Sequence, residues 1–232
     1  MNDNIATERL NPDFEDKFIA EKLLHLERYQ FASDLIVSLH KNNKKIAVLD
    51  VACGTGYGTK ILHSICGHVL GIDIDNDTIR DNKKRYKNIA KHFLTGSILD
   101  LPLKKNSVNF ITCFETIEHI SLEDGRIALT ELYRVLKPGG TLLISSPNRF
   151  WMNFIHLIKP NPFHLHEYFP NELASEAQKA GFKVEKRLAQ MPFIPIIYPL
   201  ANRKLVNNRF WFKLHEMISQ HLCLYFVFEL RK

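Results

Sequence analysis

Three groups of residues in this 232-residue chain have types and spacings that could do chemistry. The first is the glycine loop Val48-Leu49-Asp50-Val51-Ala52-Cys53-Gly54-Thr55-Gly56-Tyr57-Gly58, followed nineteen residues after Gly54 by Asp73. Glycines at such a turn let the backbone bend sharply and approach a ligand closely. A carboxylate at the tip of the next strand can accept hydrogen bonds from both hydroxyls of a ribose. The pair therefore points to an adenosine-containing cofactor at the carboxyl edge of a sheet. The second group, Glu115, Glu118 and His119, places two carboxylates and an imidazole just past the fourth apolar run. An imidazole there suits proton removal near neutral pH. The third group is His164, His166 and Glu167; in an extended segment the two histidines face the same side.

The loop's surroundings discriminate between cofactors. A dinucleotide loop would need its third glycine at position 59, which is Thr59. Asp50 lies just before the turn, where its charge would repel a pyrophosphate. No Lys-Ser/Thr pair follows the glycines, as a phosphate-binding loop requires. S-adenosylmethionine carries a sulfonium and an ammonium in place of phosphates and tolerates a nearby carboxylate. It is the cofactor expected here.

Positioning these groups requires a sheet. Ile46–Val51, Val69–Ile72, Val108–Phe114 and Thr141–Ser145 are short, almost wholly apolar runs, as parallel strands covered on both faces must be. Between them Ser121–Leu136 has helical periodicity, with Ser121 as N-cap and Lys137-Pro138-Gly139-Gly140 as terminator. Strand–helix alternation predicts right-handed crossovers and a parallel sheet. Residues 12–40 read as helical, Pro170–Ala180 as a helix closed by Gly181, and Phe182–Ala189 and Cys223–Leu230 as final strands. Those two flank an irregular stretch at 191–219 and are expected to lie antiparallel at the sheet edge.

Composition narrows the class. Hydrophobic residues at 45% and charged residues at 24% fit one globular domain rather than disorder. The amino terminus lacks the basic flank and apolar run of a signal peptide. The most apolar window, Met191–Ala201, is short and interrupted by Pro192, Pro195 and Pro199, which argues against a membrane span. Cys53, Cys66, Cys113 and Cys223 show no metal-ligand spacing and are expected as buried reduced thiols of a cytoplasmic protein. The formal charge of +6 is spread among acidic residues rather than concentrated, unlike most nucleic-acid-binding proteins. The Asn/Asp-Pro-Pro-aromatic motif of base amino methylation is absent after the fourth run, which reads Cys113-Phe114-Glu115-Thr116.

VLDVACGTGYG, GIDID, GSILDLP…NFITCFETIEHI and RVLKPGGTLLISSPNR, in that order, closely resemble the successive motifs of class I S-adenosylmethionine-dependent methyltransferases. The nearest subgroup is the methyltransferase type 11 and ubiquinone-pathway O-methyltransferase group. ERL…HLERYQFA and NPFHLHEYF also resemble bacterial members associated with glycan and glycolipid synthesis. The resemblance covers about residues 8–190. It implies an α/β fold: a doubly wound, Rossmann-like, seven-stranded sheet with one reversed edge strand, N-terminal helices and aromatic-rich inserts. In this single domain residues 1–45 would be a helical cap, 46–146 the cofactor-binding core, and 147–232 the acceptor-side inserts and final strands. By motif, Asp50, Ala52, Cys53, Gly54 and Gly56 would line the methionine part of S-adenosylmethionine. Asp73 would hold the ribose with Ile74 beside it, Ser97 and Ile98 would flank the adenine, and Phe114 would lie beside the methionine. The family often has Asp where Ser97 stands, which puts the adenine amino contact in doubt, and Asp where Asn109 stands, a change read as structural.

The acceptor is less determined. The expected reaction is methyl transfer to a hydroxyl of a small molecule, sugar, glycolipid or lipid-like compound, with His119 as general base. Transfer to nitrogen or carbon, or a non-catalytic cofactor-binding role, are the competing readings. Glu118 and His119 could equally stabilise the start of the next helix. Resemblance also permits Glu115, Glu118 and His119 to hold a divalent cation; His164, His166 and Glu167 read as part of a lid over the acceptor, with a metal role as the alternative, and no residue is assigned as a metal ligand. The aromatic inserts Phe150–Phe169 and Phe193–Phe212 could cover an apolar acceptor, touch a membrane surface through Arg203, Lys204, Arg209 and Lys213, or form a homodimer contact.

Overall fold

The computed structural model describes residues 19–40, 46–156, 161–192, 214–217 and 223–232. Helix α1 (Ile19–His40) precedes strand β1 (Val48–Val51), helix α2 (Tyr57–Cys66), strand β2 (Val69–Asp73) and helix α3 (Asn76–Arg85). A 3-10 turn at Lys87–His92 leads to strand β3 (Phe93–Thr95) and, after a loop, strand β4 (Val108–Cys113). Helix α4 (Leu122–Val135) runs into strand β5 (Leu136–Pro147), then helices α5 (Arg149–His156) and α6 (Pro170–Lys179). Strands β6 (Lys183–Pro192), β7 (His215–Glu216) and β8 (Cys223–Arg231) complete one sheet, in the order β3-β2-β1-β4-β5-β8-β6-β7.

The expected α/β sheet forms. Strands β3, β2, β1, β4 and β5 are mutually parallel. Of the seven longer strands only β8 runs against the others, and it lies between β5 and β6 rather than at the rim. The two-residue β7 adds an eighth strand outside β6. The insert Phe193–Phe212 falls outside the described residues, whereas the aromatic insert Phe150–Phe169 begins within a helix, α5. Among the described residues no helix is long and apolar enough to cross a membrane. All four cysteines are buried, and none is in a disulfide.

Alternation along the strands explains why the sheet needs two helical layers. Leu49, Val51, Ile111, Leu142 and Ile144 face α4 and α6, while Val48, Phe110, Leu143 and Val227 face α1 and α2. The helices carry their own start signals. Asp75 accepts from the backbone N–H groups of Asp77 and Thr78 at the head of α3, and Ser121 Oγ from that of Asp124 at the head of α4. Asn109 accepts from the Ala47 backbone N–H and from Lys137 Nζ, a structural role tying the base of β4 to its neighbours.

Beneath the glycine loop sits a buried carboxylate that joins four elements. Asp50 Oδ1 accepts from Tyr29 Oη of α1 (3.0 Å) and Thr112 Oγ1 of β4 (2.7 Å), and Oδ2 from Thr59 Oγ1 of α2 (2.7 Å). Burial pushes this carboxyl above the usual range, and the three hydroxyl donors pull it back. Asp50→Ala would strand three buried hydroxyls at roughly 1 kcal/mol or more each, so the melting midpoint is expected to fall by about 6–12 °C. Calorimetry on the folded variant checks this, and an unchanged midpoint would show that the network carries no stability.

Candidate functional site

The carboxyl ends of β1, β2 and β4 build the first half of the site. Leaving β1, the chain passes through left-handed conformations at Ala52 (φ 53°), Gly54 (φ 49°) and Gly56 (φ 76°). Two glycines are required for different reasons. A Cβ on Gly56 would strike the Phe93 ring and Asn82, and one on Gly58 would strike the Tyr29 ring. A Cβ on Gly54 would meet nothing within 4 Å, so the loop packs tightly below and presents an open face above. An open face bounded by backbone is what a bound S-adenosylmethionine requires there.

Asp73 ends β2 and is turned toward that face. Its Oδ2 accepts from the Gly54 backbone N–H (2.9 Å) and its Oδ1 from that of Asp75 (3.0 Å). Asn82 Nδ2 donates to the Gly54 carbonyl (2.7 Å), fixing the loop from the other side. Ile74 is 71% exposed beside it, an apolar platform at the strand tip. Ser97 and Ile98 are half-buried past β3, where the Ser97 hydroxyl accepts from the Leu99 backbone N–H (3.1 Å) and so is used within its own turn. Cys53 is buried against the loop, and burial raises its thiol well above the ordinary range, which leaves it an inert packing group.

The second half lies beyond β4. Phe114 packs edge-on to Tyr29 at 5.2 Å, and Tyr29 to Tyr57 at 5.4 Å, forming an aromatic wall next to the loop. The Tyr57 hydroxyl is 2.8 Å from His25 Nδ1. Burial and the Arg28 charge push His25 down to about 3, so its ring is neutral and Nδ1 can accept from Tyr57. Glu115 follows with φ 48°, a strained value for a non-glycine residue. Ser145 of β5 secures it, accepting from the Glu115 backbone N–H and donating to its Oε1 (2.8 Å).

His119 stands in a 3-10 turn at Ile117–His119, with Nδ1 3.1 Å from the Phe163 carbonyl. A carbonyl can only accept, so Nδ1 carries the proton and Nε2 is the basic nitrogen of the neutral ring. The backbone N–H groups of Leu165 and His166 both donate to the Glu118 carbonyl, stitching the histidine segment onto this turn. His164 thereby reaches the His119 ring, centroids 5.0 Å apart, with its Nδ1 2.6 Å from Glu167 Oε1. His166 turns away to Glu172. Glu118 is 1% exposed with neither carboxylate oxygen hydrogen-bonded among the described residues. Burial, then the charge of Glu115, pushes its carboxyl far above the usual range.

The structure thus gathers Asp50, Ala52, Cys53, Gly54, Gly56, Asp73, Ile74, Ser97, Ile98, Phe114 and His119 along one sheet edge, with Asp50 beneath the loop rather than on its open face. It regroups the acid and histidine residues. One ligand atom each from Glu118, His119 and His164 lie within 4.8 Å of one another, a set that could hold a metal ion. Glu115 instead serves Arg28 and Ser145. Tyr29 and Arg28, inside the HLERYQFA motif, were not singled out as site residues by sequence reasoning.

Asp73→Ala should weaken S-adenosylmethionine binding by at least about tenfold, because charge-assisted hydrogen bonds contribute roughly 1.5–3 kcal/mol each. Calorimetric titration reads this. Unchanged affinity in a folded variant would mean that the ribose is held elsewhere.

A family model described as a methyltransferase domain matches residues 49–144. A Mycolicibacterium smegmatis protein described as an S-adenosylmethionine-dependent methyltransferase is 37% identical over 142 residues, which are 61% of this chain and 53% of that protein. The ubiquinone biosynthesis O-methyltransferase of Hydrogenovibrio crunogenus is 27% identical over 176 residues, 69% of this chain and 72% of that one. A solved S-adenosylmethionine-dependent methyltransferase of Thermotoga maritima shares the fold with TM-score 0.63 at 21% identity, covering 95% of this chain and 97% of that one. The chain spans a little over half the length of the mycobacterial relatives it matches. Residues 49–144 match a methyltransferase domain, and loop, strand order and relatives together give that region the character of a class I S-adenosylmethionine-dependent methyltransferase.

Proposed function

We propose that the protein transfers a methyl group from S-adenosylmethionine to a hydroxyl of a small-molecule or glycan- or lipid-linked acceptor in the cytoplasm, with His119 as general base. The observation that carries this reading is the fixed tautomer of His119, whose Nδ1 is tied to the Phe163 carbonyl next to the aromatic wall. When bound, the sulfonium supplies an already activated methyl. The protein's part is alignment and proton removal. Tyr29, Tyr57 and Phe114 exclude water from one flank. Nε2 of His119 takes the hydroxyl proton as the oxygen forms its bond to the methyl carbon, while the carbon–sulfur bond breaks and its electron pair stays on sulfur. An N- or C-methyltransferase would depend less on proton removal, and product analysis separates these outcomes.

His119→Ala should lower turnover by about 10²–10⁴-fold while leaving cofactor affinity nearly intact, the range typical of a general base. The rate should rise with pH through the imidazole titration, and that limb should vanish in the variant. Wild-type turnover with an unchanged pH profile would remove His119 from the chemistry.

A second reading rests on a different observation: the two unpartnered oxygens of Glu118 beside His119 and His164. Both imidazoles have Nδ1 held, one by a carbonyl and one by Glu167, the arrangement that orients histidine ligands. A divalent cation held by Glu118, His119 and His164 would polarise the acceptor hydroxyl in place of a free base. The two readings separate without activity. The folded state keeps the Glu118 proton at pH values where the unfolded chain, with a glutamate pKa of about 4.3, has released it. Stability from this group is therefore complete below that value and lost as pH rises toward the folded pKa. Glu118→Gln should raise the melting midpoint by about 2–4 °C or more at pH 8 and leave it unchanged near pH 4. Manganese or zinc should stabilise the wild type and not the variant. No metal-dependent shift in either protein would dismiss the cation.

A further inference from the structure

We propose that the groove between α3 and the edge strand β3 binds a diphosphate- or bisphosphate-bearing small molecule, a second ligand beside the cofactor. The groove has a volume of about 540 Å³ and opens to solvent, with Asn76, Arg80, Lys83, Lys84, Lys87 and Thr95 on its walls. Its floor is Ile79, which is buried in a cluster with Cys53, Tyr86, Ile89 and Phe93 and so anchors the helix at this point. From Asn76 to Lys84 the lining residues recur at three- and four-residue steps, which puts them on one face of α3. Lys87 continues that spacing just past the end of the helix. Thr95 Oγ1 donates to Asn76 Oδ1 at 2.6 Å, which orients the Asn76 amide. The walls therefore offer mainly donors: the remaining Asn76 amide N–H groups and four cationic side chains.

The chain leaves this positive charge partly uncompensated. Arg80 pairs with Asp77 at 2.9 Å and Lys84 with Asp81 at 3.4 Å, both on the exposed surface, where such pairs are weak and exchange readily. Lys83 and Lys87 have no ion-pair partner among the described residues. Asp75, at the head of α3, is spent on capping the helix. The helix dipole favours cations in the last turn, but it gives no reason for Arg80 in the middle or for a concave wall. Concavity selects a compact polyanion over a flat bilayer. Arg80 and Lys84 lie roughly 6 Å apart along the axis, wider than one phosphate, so two phosphate groups complete the row. The ligand is not the molecule being methylated. In the order β3-β2-β1-β4, three strand spacings of about 14 Å in all separate the groove's strand from the one that leads to His119. Thr95 pairs with Asp73, so the groove adjoins that strand tip while sharing no lining residue with the glycine loop.

The test titrates the full-length protein, with and without S-adenosylhomocysteine, with inorganic pyrophosphate and inorganic phosphate by calorimetry at one fixed ionic strength. Pyrophosphate should bind about tenfold or more tighter than phosphate, and equally well with the cofactor site filled. Lys83→Gln combined with Lys87→Gln should weaken pyrophosphate binding by about tenfold or more. Lys104→Gln combined with Lys105→Gln removes the same charge from exposed lysines outside the groove and should leave it unchanged. Absence of pyrophosphate binding, or an equal loss in both double variants, overturns the inference, the latter because attraction would then follow net charge alone. Pyrophosphate affinity that falls as S-adenosylhomocysteine is raised also overturns it, since the anion would be occupying the cofactor site. So do phosphatidylglycerol vesicles that sediment the wild type but not the Lys83→Gln, Lys87→Gln variant when pyrophosphate does not bind, because the face would then dock on lipid.

Discussion

The hydrogen bonds from three hydroxyls to Asp50 are the constraint on which the site depends. A carboxylate can be buried either with a cation or with enough donors to replace its water, and the second solution is used here. Each donor comes from a different element, so satisfying one charge fixes α1, α2 and β4 against the end of β1. The glycine loop that follows immediately has little freedom left. Its left-handed residues are held from below by Asp50, from the side by Asp73 and Asn82, and by the ring of Phe93 under Gly56. A loop ordered before the cofactor arrives loses little conformational entropy on binding it.

The same helix then divides the sheet edge into two halves. Tyr29 and Arg28 are consecutive on α1, yet one faces β1 and the other reaches β6. This is open to α1 because β8 is reversed. Running against β5 and β6, it brings its own start, near Tyr225, to the edge where the parallel strands end. An all-parallel sheet would place the start of that strand at the opposite edge. The reversed strand therefore extends the sheet edge beyond the glycine loop without disturbing that loop.

Much of this was legible in the sequence, for identifiable reasons. Strands β1, β2, β4 and β8 are nearly continuous apolar runs, because both faces are covered, and Ser121 and Asp73 mark a helix start and a strand tip by residue type alone. Strand β3 was not read, since two of its three residues are exposed and it has no apolar run to show. Helix α5 was hidden by aromatic residues that suit a loop, a strand or a helix equally. The place of β8 inside the sheet depends on pairing energies between distant segments, which no local pattern carries. The regrouping of His164 with Glu118 has the same origin. Two backbone hydrogen bonds to the Glu118 carbonyl decide it, and backbone bonds across more than forty residues leave no trace in side-chain spacing. Arg28 was visible as a motif residue, but a buried arginine reads in sequence like an exposed one.

Glu118 shows how the two halves of the argument meet. A buried carboxyl with no side-chain donor among the described residues persists in two forms: protonated, or ionised against a cation. Within 4.8 Å of it lie ligand atoms of the His119 and His164 imidazoles, whose Nδ1 atoms face the Phe163 carbonyl and Glu167. Whatever occupies the space between these three residues, a proton or a metal ion, therefore also sets the field at the His119 ring. Arg28 adds a fixed positive charge on the far side, held by Gln190 and balanced by Glu115. Charge at Glu118 and charge at His119 are then linked by proximity, at a sheet edge whose geometry another buried carboxyl, Asp50, already fixes.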